Sequence, residues 1–444
     1  MKRILTELKR YPSAIVGMVL ILFLFGISLY TIIKIPYGEA RRLWRGGEEV
    51  WYTNPRLAAP IWVNWFSKKK QPVSFTMQTG DEEVQYDVTV DEGGGSEVLI
   101  SFPFDYEYDD FPQEVMIYFD AVYDVKQPYA DVIWITPDGR EIRLNNFALL
   151  TRHNYRLSQD ERLERLLRSD SIMEGLFGDP NAEDPTVLKG VYRVAITAYT
   201  FEEGSSVEAE LVLHGTLAGW AGTDHLRRDL MVALLWGTPI ALAFGLLAAL
   251  GTTVLTMVIS AIGAWYRGWV DELIQRITEI NLVLPFLPLL LMVGTFYSRS
   301  IWVILGATIL LNIFSGGIKT NRAIFLQIKE APFIEAARTY NASDLRIILR
   351  YLTPRLIPTL VPQLVTLIPT YVFIEASLAV LGLGDPELPT WGKVINDAFV
   401  NSAPYLGLYY WMLEPAVMLV ITGMAFSMLG FALDRIFNPR LRQI

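Results

Sequence analysis

The 444-residue chain contains no cysteine, which excludes disulfides, thiolate metal sites and cysteine nucleophiles together. Histidine is nearly as scarce: His153, His214 and His225 are the three, and none has the short spacing of a ligand pair. They read as solvated or capping side chains rather than a metal site. Charged residues are only 19% of the chain, where about 25% is usual for a soluble domain. No concentrated basic stripe suggests nucleic acid, and there is no low-complexity tract or solenoid repeat. The Gly392–Lys393 pair is followed by Val394, and Glu387 stands where a phosphate-binding loop needs its first glycine. An enzyme hydrolysing ATP on this chain is therefore not expected, and no cofactor is implied.

What is abundant is apolar sequence, at 52%, and it is unevenly spread. Residues 34–228 carry a net charge of −13 and the remainder +4. An acidic polar block thus interrupts an apolar, slightly basic chain. A membrane-spanning helix needs about 20 mostly apolar residues. Stretches near 14–33, 231–264, 277–296, 301–318, 356–383 and 411–433 meet or approach this length. The first is longer than a signal-peptide core of about 7–15 residues and reads as an uncleaved anchor. Ala241, Gly245 and Ala249 form a small-residue stripe that lets another helix approach. Pro285 and Pro288 are expected to kink one arm of a tight hairpin between the third and fourth spans. With the N-terminus inside, sixteen Lys and Arg fall on the cytoplasmic segments and two on short outer loops. That asymmetry places both termini in the cytoplasm and the block 34–228 outside.

Within that block, VSFTMQT, VQYDVTV, EVLISFPF, EVMIYFDAVY, YADVIWITP, EIRLNN, VYRVAITAYT and VEAELVLHGT are short β-rich runs separated by turn signals. They predict an antiparallel β-sandwich of about 150 residues. One helix is expected over Ser158–Ser169, opened by a capping-box pair of Ser158 and Glu161. The acidic run Asp105–Asp110 lacks the alternate-position ligands of a calcium loop and reads as a solvated face.

The segment 330–355, EAPFIEAARTYNASDLRIILRYLTPR, carries the most specific pattern. Pro332 suits a first helical turn, and a short helix should run to Tyr340. Asn341 tolerates the left-handed conformation that ends a helix. Ser343 can then cap a second helix, with Asp344 favourable in its first turn. Leu345, Ile348, Leu349 and Leu352 form one apolar face, which Thr353–Pro354 should stop.

This segment resembles the EAA loop of ABC-importer permeases, and the chain is similar to the C-type permease subunit of dipeptide and oligopeptide transporters. The resemblance extends over about 220–440 through GTDHLRRDL, GWVDELIQRITEI, FIEAARTYNASDLRIILRYLTP, FIEASLAVLGLG and LPTWGKVI. Three positions depart from the family pattern: Asn341 and Arg227 stand where glycine is usual, and Tyr351 where histidine is usual. The β block is an insertion relative to the family. Together with the spans and strand runs above, the expected fold is an α-helical polytopic membrane protein of six transmembrane helices, with a large extracytoplasmic β-sandwich-like insertion between helices 1 and 2 that the resemblance does not explain. The expected organisation is a cytoplasmic tail with the first span over 1–36 and the insertion over 37–225, its core about 70–217. A permease domain follows over 226–444, with the EAA loop at 320–355. The resemblance implies residence in a prokaryotic inner or plasma membrane. The implied partners are a second, B-type permease subunit, two ATP-binding subunits, an extracytoplasmic solute-binding protein and membrane lipid. ATP would be hydrolysed on the partner subunits, and the solute would be a peptide or a related small molecule such as nickel or an oligosaccharide.

For ATPase coupling the resemblance singles out Glu335, Ala336, Ala337, Arg338, Asn341, Ser343 and Asp344. Glu335 is either a docking carboxylate or a plain surface one. Arg338 is either a coupling residue or a solvated, phospholipid-facing charge. Glu375 lies in an apolar run, where a carboxylate must be paired or reach water. It reads as a buried hydrogen-bond partner or as a residue lining the translocation path. Two other classes remain to be separated. A secondary transporter should show inverted repeats and broken midplane helices. A membrane-anchored receptor or sensor would explain the β block but not the EAA loop.

Overall fold

The computed structural model describes residues 11–437 apart from 92, 93, 168, 170 and 183. The basic residues Lys2, Arg3, Lys9, Arg10, Arg440 and Arg442, and part of the expected DEGGGS turn, lie outside the described residues. The chain divides into two compact units, one of Met1–Arg45 with Val232–Ile444 and the other of Gly46–Met231.

Along the chain, α1 (Pro12–Lys34) and α2 (Tyr37–Arg45) come first. The second unit then carries β1 (Phe75–Gln78), β2 (Gln85–Val90), β3 (Ser96–Tyr106), β4 (Glu114–Val122), β5 (Tyr129–Ile135), β6 (Glu141–Ala148) and β7 (Arg152–Arg156). Two short helices, α3 (Glu161–Leu167) and α4 (Ile172–Phe177), precede β8 (Gly190–Thr200) and β9 (Ser206–His214). The remaining helices begin with α5 (Leu230–Tyr266), α6 (Gly268–Val283), α7 (Phe286–Phe296), α8 (Ile301–Ile313) and α9 (Gly316–Lys329). They end with α10 (Pro332–Thr339), α11 (Asp344–Ile347), α12 (Thr353–Leu378), α13 (Trp391–Val400) and α14 (Tyr410–Phe437).

The β unit has two antiparallel sheets, ordered β1-β9-β4-β7 and β2-β3-β8-β5-β6. The period-2 alternation of side chains puts Val98, Ile100, Phe102, Phe104 and Tyr106 of β3 inward, with Tyr192, Val194 and Ile196 of β8 beside them. From the other sheet Val115, Ile117 and Phe119 of β4 join the same core. At its centre Trp134 meets Phe104, Phe177 and Tyr192 with ring centroids 5.1–5.8 Å apart. One strand, β7, escaped the sequence reading because its RHNYR stretch buries only Tyr155. The expected capping box is also corrected. The Asp160 carboxylate accepts the N–H groups of Arg162 and Leu163 at α3, whereas the Ser158 hydroxyl turns to Glu114.

The ends of this unit are tied to each other. Leu57 N–H donates to Asp224 O, Ala59 N–H donates to Thr216 O while Ala59 O accepts from Ala218 N–H, and Thr223 N–H donates to Ala58 O. Arg227 adopts φ +64°, which explains why glycine suits the position. The arginine side chain uses that geometry to donate to Asn54 O at 2.6 Å and to face His214 Nδ1 at 3.2 Å. His214 Nε2 lies 3.2 Å from Tyr52 O.

Among the described residues of the helical unit, four helices are individually long and apolar enough to cross a membrane, and two bent pairs raise the number to as many as six. The arm expected over Ile277–Phe296 is two helices, α6 and α7, meeting at 84°. Leu284 is extended and Pro285 lacks an N–H, so the helix ends rather than kinks. The pair α8–α9 bends by 48°. Its freed carbonyls find donors: Asn281 Nδ2 reaches Leu311 O and Phe314 O at 2.8 and 2.9 Å, and the Thr256 hydroxyl reaches Ile313 O at 2.9 Å. Side-chain donors are what allow an apolar span to break. The small-residue stripe on α5 does bring helices close: a Cβ on Gly245 would sit 2.8 Å from Ile368 O of α12.

Candidate functional site

Pro332 opens α10 at its first positions, where a missing N–H costs nothing. The helix ends in a Schellman motif, with Ala342 N–H on Ala337 O at 3.1 Å and Asn341 N–H on Arg338 O at 2.8 Å. Asn341 takes φ +56°, the left-handed geometry expected of it. The chain therefore turns sharply at Asn341.

The two faces of α10 differ. Ile334 and Ala337 are buried in a cluster with Ala261, Ala264 and Trp265 from the end of α5 and with Ile347, Ile348 and Leu352. Glu335, Ala336 and Tyr340 are exposed, Tyr340 at 88%. Ala337 thus seats α10 on the protein's own core, and Ala336 is the small residue on the free side. Phe333, Ala336, Ala337, Tyr340, Ala342, Arg346 and Tyr351 line a concavity of about 360 Å³. Arg338 is partnered: its guanidinium stacks 4.6 Å from the Trp265 ring centroid. Lys329 Nζ sits 5.1 Å from the same ring and donates to Trp265 O at 2.6 Å, closing the C-terminal end of α5.

Beyond the corner, Ser343 occupies the N-cap position of α11 without a side-chain capping bond, and Asp344 lies in the first turn. The helix does not stop at Thr353–Pro354. A π-helical turn over Ile348–Leu352 carries it directly into α12, where Pro354 is tolerated in the first turn. The wider turn moves the buried face to Ile347, Ile348 and Leu352, leaving Leu345 and Leu349 exposed at 65% and 53%.

Glu375 lies far along α12 and is buried, with the Thr390 hydroxyl as its hydrogen-bonding neighbour. It is not part of the EAA cluster. Thr390 also accepts the Lys393 N–H at 3.3 Å and so caps α13. Two further fastenings escaped the sequence reading. Arg322 makes a bidentate pair with Asp271 at 2.7 and 2.5 Å, joining α9 to α6. Glu387 pairs with Arg41 on α2. The quoted run GWVDELIQRITEI contained Asp271, and Glu387 directly precedes LPTWGKVI, but nothing in their spacing named distant arginines.

The chain matches the family model described as "Binding-protein-dependent transport system inner membrane component" over residues 255–443. It is 30% identical over 232 residues to a glutathione transport system permease protein GsiD of Escherichia coli, covering 51% of this chain and 74% of that protein. It is 28% identical over 230 residues to the protein of the same name from Pectobacterium atrosepticum, with the same coverage of 51% and 74%. Among solved structures, an inward-facing form of the MetNI methionine ABC transporter matches 47% of this chain and 97% of its own, at 21% identity and a TM-score of 0.36. The matched family residues include the whole EAA segment and leave the two sheets outside. The chain belongs to the family of binding-protein-dependent inner-membrane transport components and is the permease of an ABC importer.

Proposed function

We propose that this permease forms half of a translocation path for a peptide-like solute and that α10 with its corner receives the force of ATP hydrolysis on partner subunits. The observation carrying this reading is the two-faced α10, seated on the chain's own core by Ile334 and Ala337 while Glu335, Ala336 and Tyr340 face outward. A short helix ending in a left-handed corner presents a small convex element that fits a groove of a partner. Glu335 serves as the polar docking contact, and Arg338 holds the helix against Trp265. Asn341 sets the corner, while Ser343 and Asp344 start the helix that continues into α12. Glu375 is a structural hydrogen-bond partner of the α12–α13 junction.

The expected setting is an inner membrane, with the termini and α10 in the cytoplasm and residues 46–231 as a β-sandwich-like unit on the opposite side. There the β unit offers a docking surface for the solute-binding protein. The second permease subunit and two ATP-binding subunits complete the importer. The name of the GsiD relatives supports glutathione or another short peptide as the first solute to test.

The discriminating variants are Ala336→Trp and Ala337→Trp in the reconstituted complex. Ala336→Trp should leave the membrane protein intact but block docking, with a loss of at least about tenfold in ATP-dependent uptake. Ala337→Trp should instead disturb the fold of the segment itself, because its Cβ points into the core. Native uptake by Ala336→Trp with normal assembly would reject this face as the coupling surface.

A further inference from the structure

The contacts of α5 reach well beyond the EAA segment, through glycines and a second tryptophan. Trp391, at the start of α13, is 1% exposed. A Cβ on Gly237 of α5 would fall 2.2 Å from Trp391 Cδ1, so only glycine admits the indole there. Its Nε1–H donates to Leu234 O at 3.0 Å. This turn of α5 is weakened by Pro239. Proline has no N–H, so the Leu235 carbonyl loses its helical donor. The Thr31 hydroxyl of α1 takes up that carbonyl at 3.4 Å. Two side chains from other elements therefore hold the proline turn closed.

The next residue repeats the close approach on another helix. A Cβ on Gly392 would lie 2.7 Å from both Cα and O of Ala376, which are backbone atoms of α12 that cannot swing aside. Ala241 of α5, Val372 and Ala376 of α12, and Trp391 share one buried cluster. Gly245 brings α5 and α12 together one turn further along. At the far end, Trp265 of α5 carries Arg338 of α10, and α11 runs through the π-turn into α12. From Gly237 to Trp265 is 28 residues, about 42 Å of helix.

We propose that Trp391 and Gly392 are positioning residues for transport, fixing α13 to the end of an α5–α12 lever remote from the EAA corner. Displacement of α10 enters both helices, through Trp265 into α5 and through α11 into α12. Because the helices touch at glycines without slack, they move together and carry α13 with them. Coupling requires such a packed element with two discrete positions. The inference rests on the reading of α10 as the coupling segment.

The test uses the full permease assembled with its partner subunits in liposomes. A single cysteine at Tyr405, which is 89% exposed just after α13, is labelled with an impermeant maleimide. Labelling rates are compared between nucleotide-free and vanadate-trapped complexes, and ATP hydrolysis is measured in parallel. With the parent lever the two rates should differ by about fivefold or more. Gly392→Leu should bring the ratio close to one while ATP hydrolysis stays within about twofold and the ATPase subunits still copurify. Trp391→Phe keeps the ring but lacks the donor to Leu234, and should reduce the ratio by a smaller factor without loss of assembly. Parent-like ratios in both variants would overturn the lever. If Gly392→Leu does not accumulate, Trp391→Phe decides alone: a reduced ratio supports the joint and an unchanged one overturns it. Failure of the parent chain to copurify with ATPase subunits would instead reject the coupling reading, a distinct result.

Discussion

The two units satisfy their apolar residues in opposite ways. In residues 46–231 the inward side chains of one sheet meet those of the other, and Phe102, Trp134, Tyr192 and Ile117 are all fully buried. In the helical unit α1 buries only a stripe of Ala14, Gly17, Leu24, Ser28 and Thr31. The rest of α1 leaves Leu22, Leu29 and Ile33 exposed at 63–70%. An apolar helix surface of that kind needs lipid or another subunit beside it. The β unit closes its own core, while the helical unit is completed by its surroundings.

The largest expected effect separates the two outright. Residues 52–229, which keep the ties of Tyr52, Asn54 and Leu57 to His214, Arg227 and Asp224, should be soluble alone. They should give a β-type circular-dichroism spectrum and unfold cooperatively. The helical remainder should require detergent. A disordered spectrum from the β fragment would break the comparison.

Within the β unit the same logic puts the greatest single cost at its aromatic centre. Trp134→Ala removes a buried ring that touches three others and should destabilise this unit by about 3–5 kcal/mol. Urea unfolding followed by the near-ultraviolet signal of the fragment measures it. A loss below about 1 kcal/mol would mean that the core collapses around the gap.

Legibility in the sequence follows the same division. Strand alternation located β3, β4, β5, β8 and β9 because each presents a continuous inward row. It missed β7, which buries one residue. Hydropathy located the apolar stretches and Pro285 marked the α6–α7 break, but the α8–α9 break was not legible, since Asn281 and Thr256 satisfy its carbonyls from helices distant in sequence. The corner at Asn341 was legible because its geometry is local, and the Trp265 and Trp391 fastenings were not because their partners are remote. The apolar face of α11 was misphased for a third reason: a π-turn changes the period that the reading assumed.

A pH effect of intermediate size sharpens the account of how the β unit closes. Burial, aided by the Arg227 charge, holds the His214 pKa down at about 4, below the ordinary 6.5. The neutral ring donates from Nε2 to Tyr52 O and accepts Arg227 at Nδ1, whereas a protonated ring would turn a second N–H toward the guanidinium. As pH falls from 6.5 toward 4 the unfolded chain takes up this proton first, so stability is lost across that window and is fully present above it. The loss should reach roughly 3 kcal/mol. His214→Gln should flatten that part of the profile in the 52–229 fragment. An unchanged slope would place the titration on another group.

The smallest effect concerns the part of the helical unit that neither lipid nor a second sheet supports, the corner after α10. Asn341 holds φ +56°, a region that a β-branched residue enters only with strain and glycine enters freely. Asn341→Val should therefore favour opening of the Schellman turn by about 1–2 kcal/mol, and Asn341→Gly should leave it closed. The exposed Arg338, the penultimate residue of α10, supplies a tryptic site that reports this opening. When opening and closing are fast, cleavage follows the open population, so the rate after Arg338 should rise by about tenfold in Asn341→Val. In Asn341→Gly it should match the parent. Equal rates in all three would mean that the bonds from Ala342 and Asn341 to Ala337 and Arg338 do not hold the corner in solution. The exposed face of α10 would then lack the fixed orientation that docking requires.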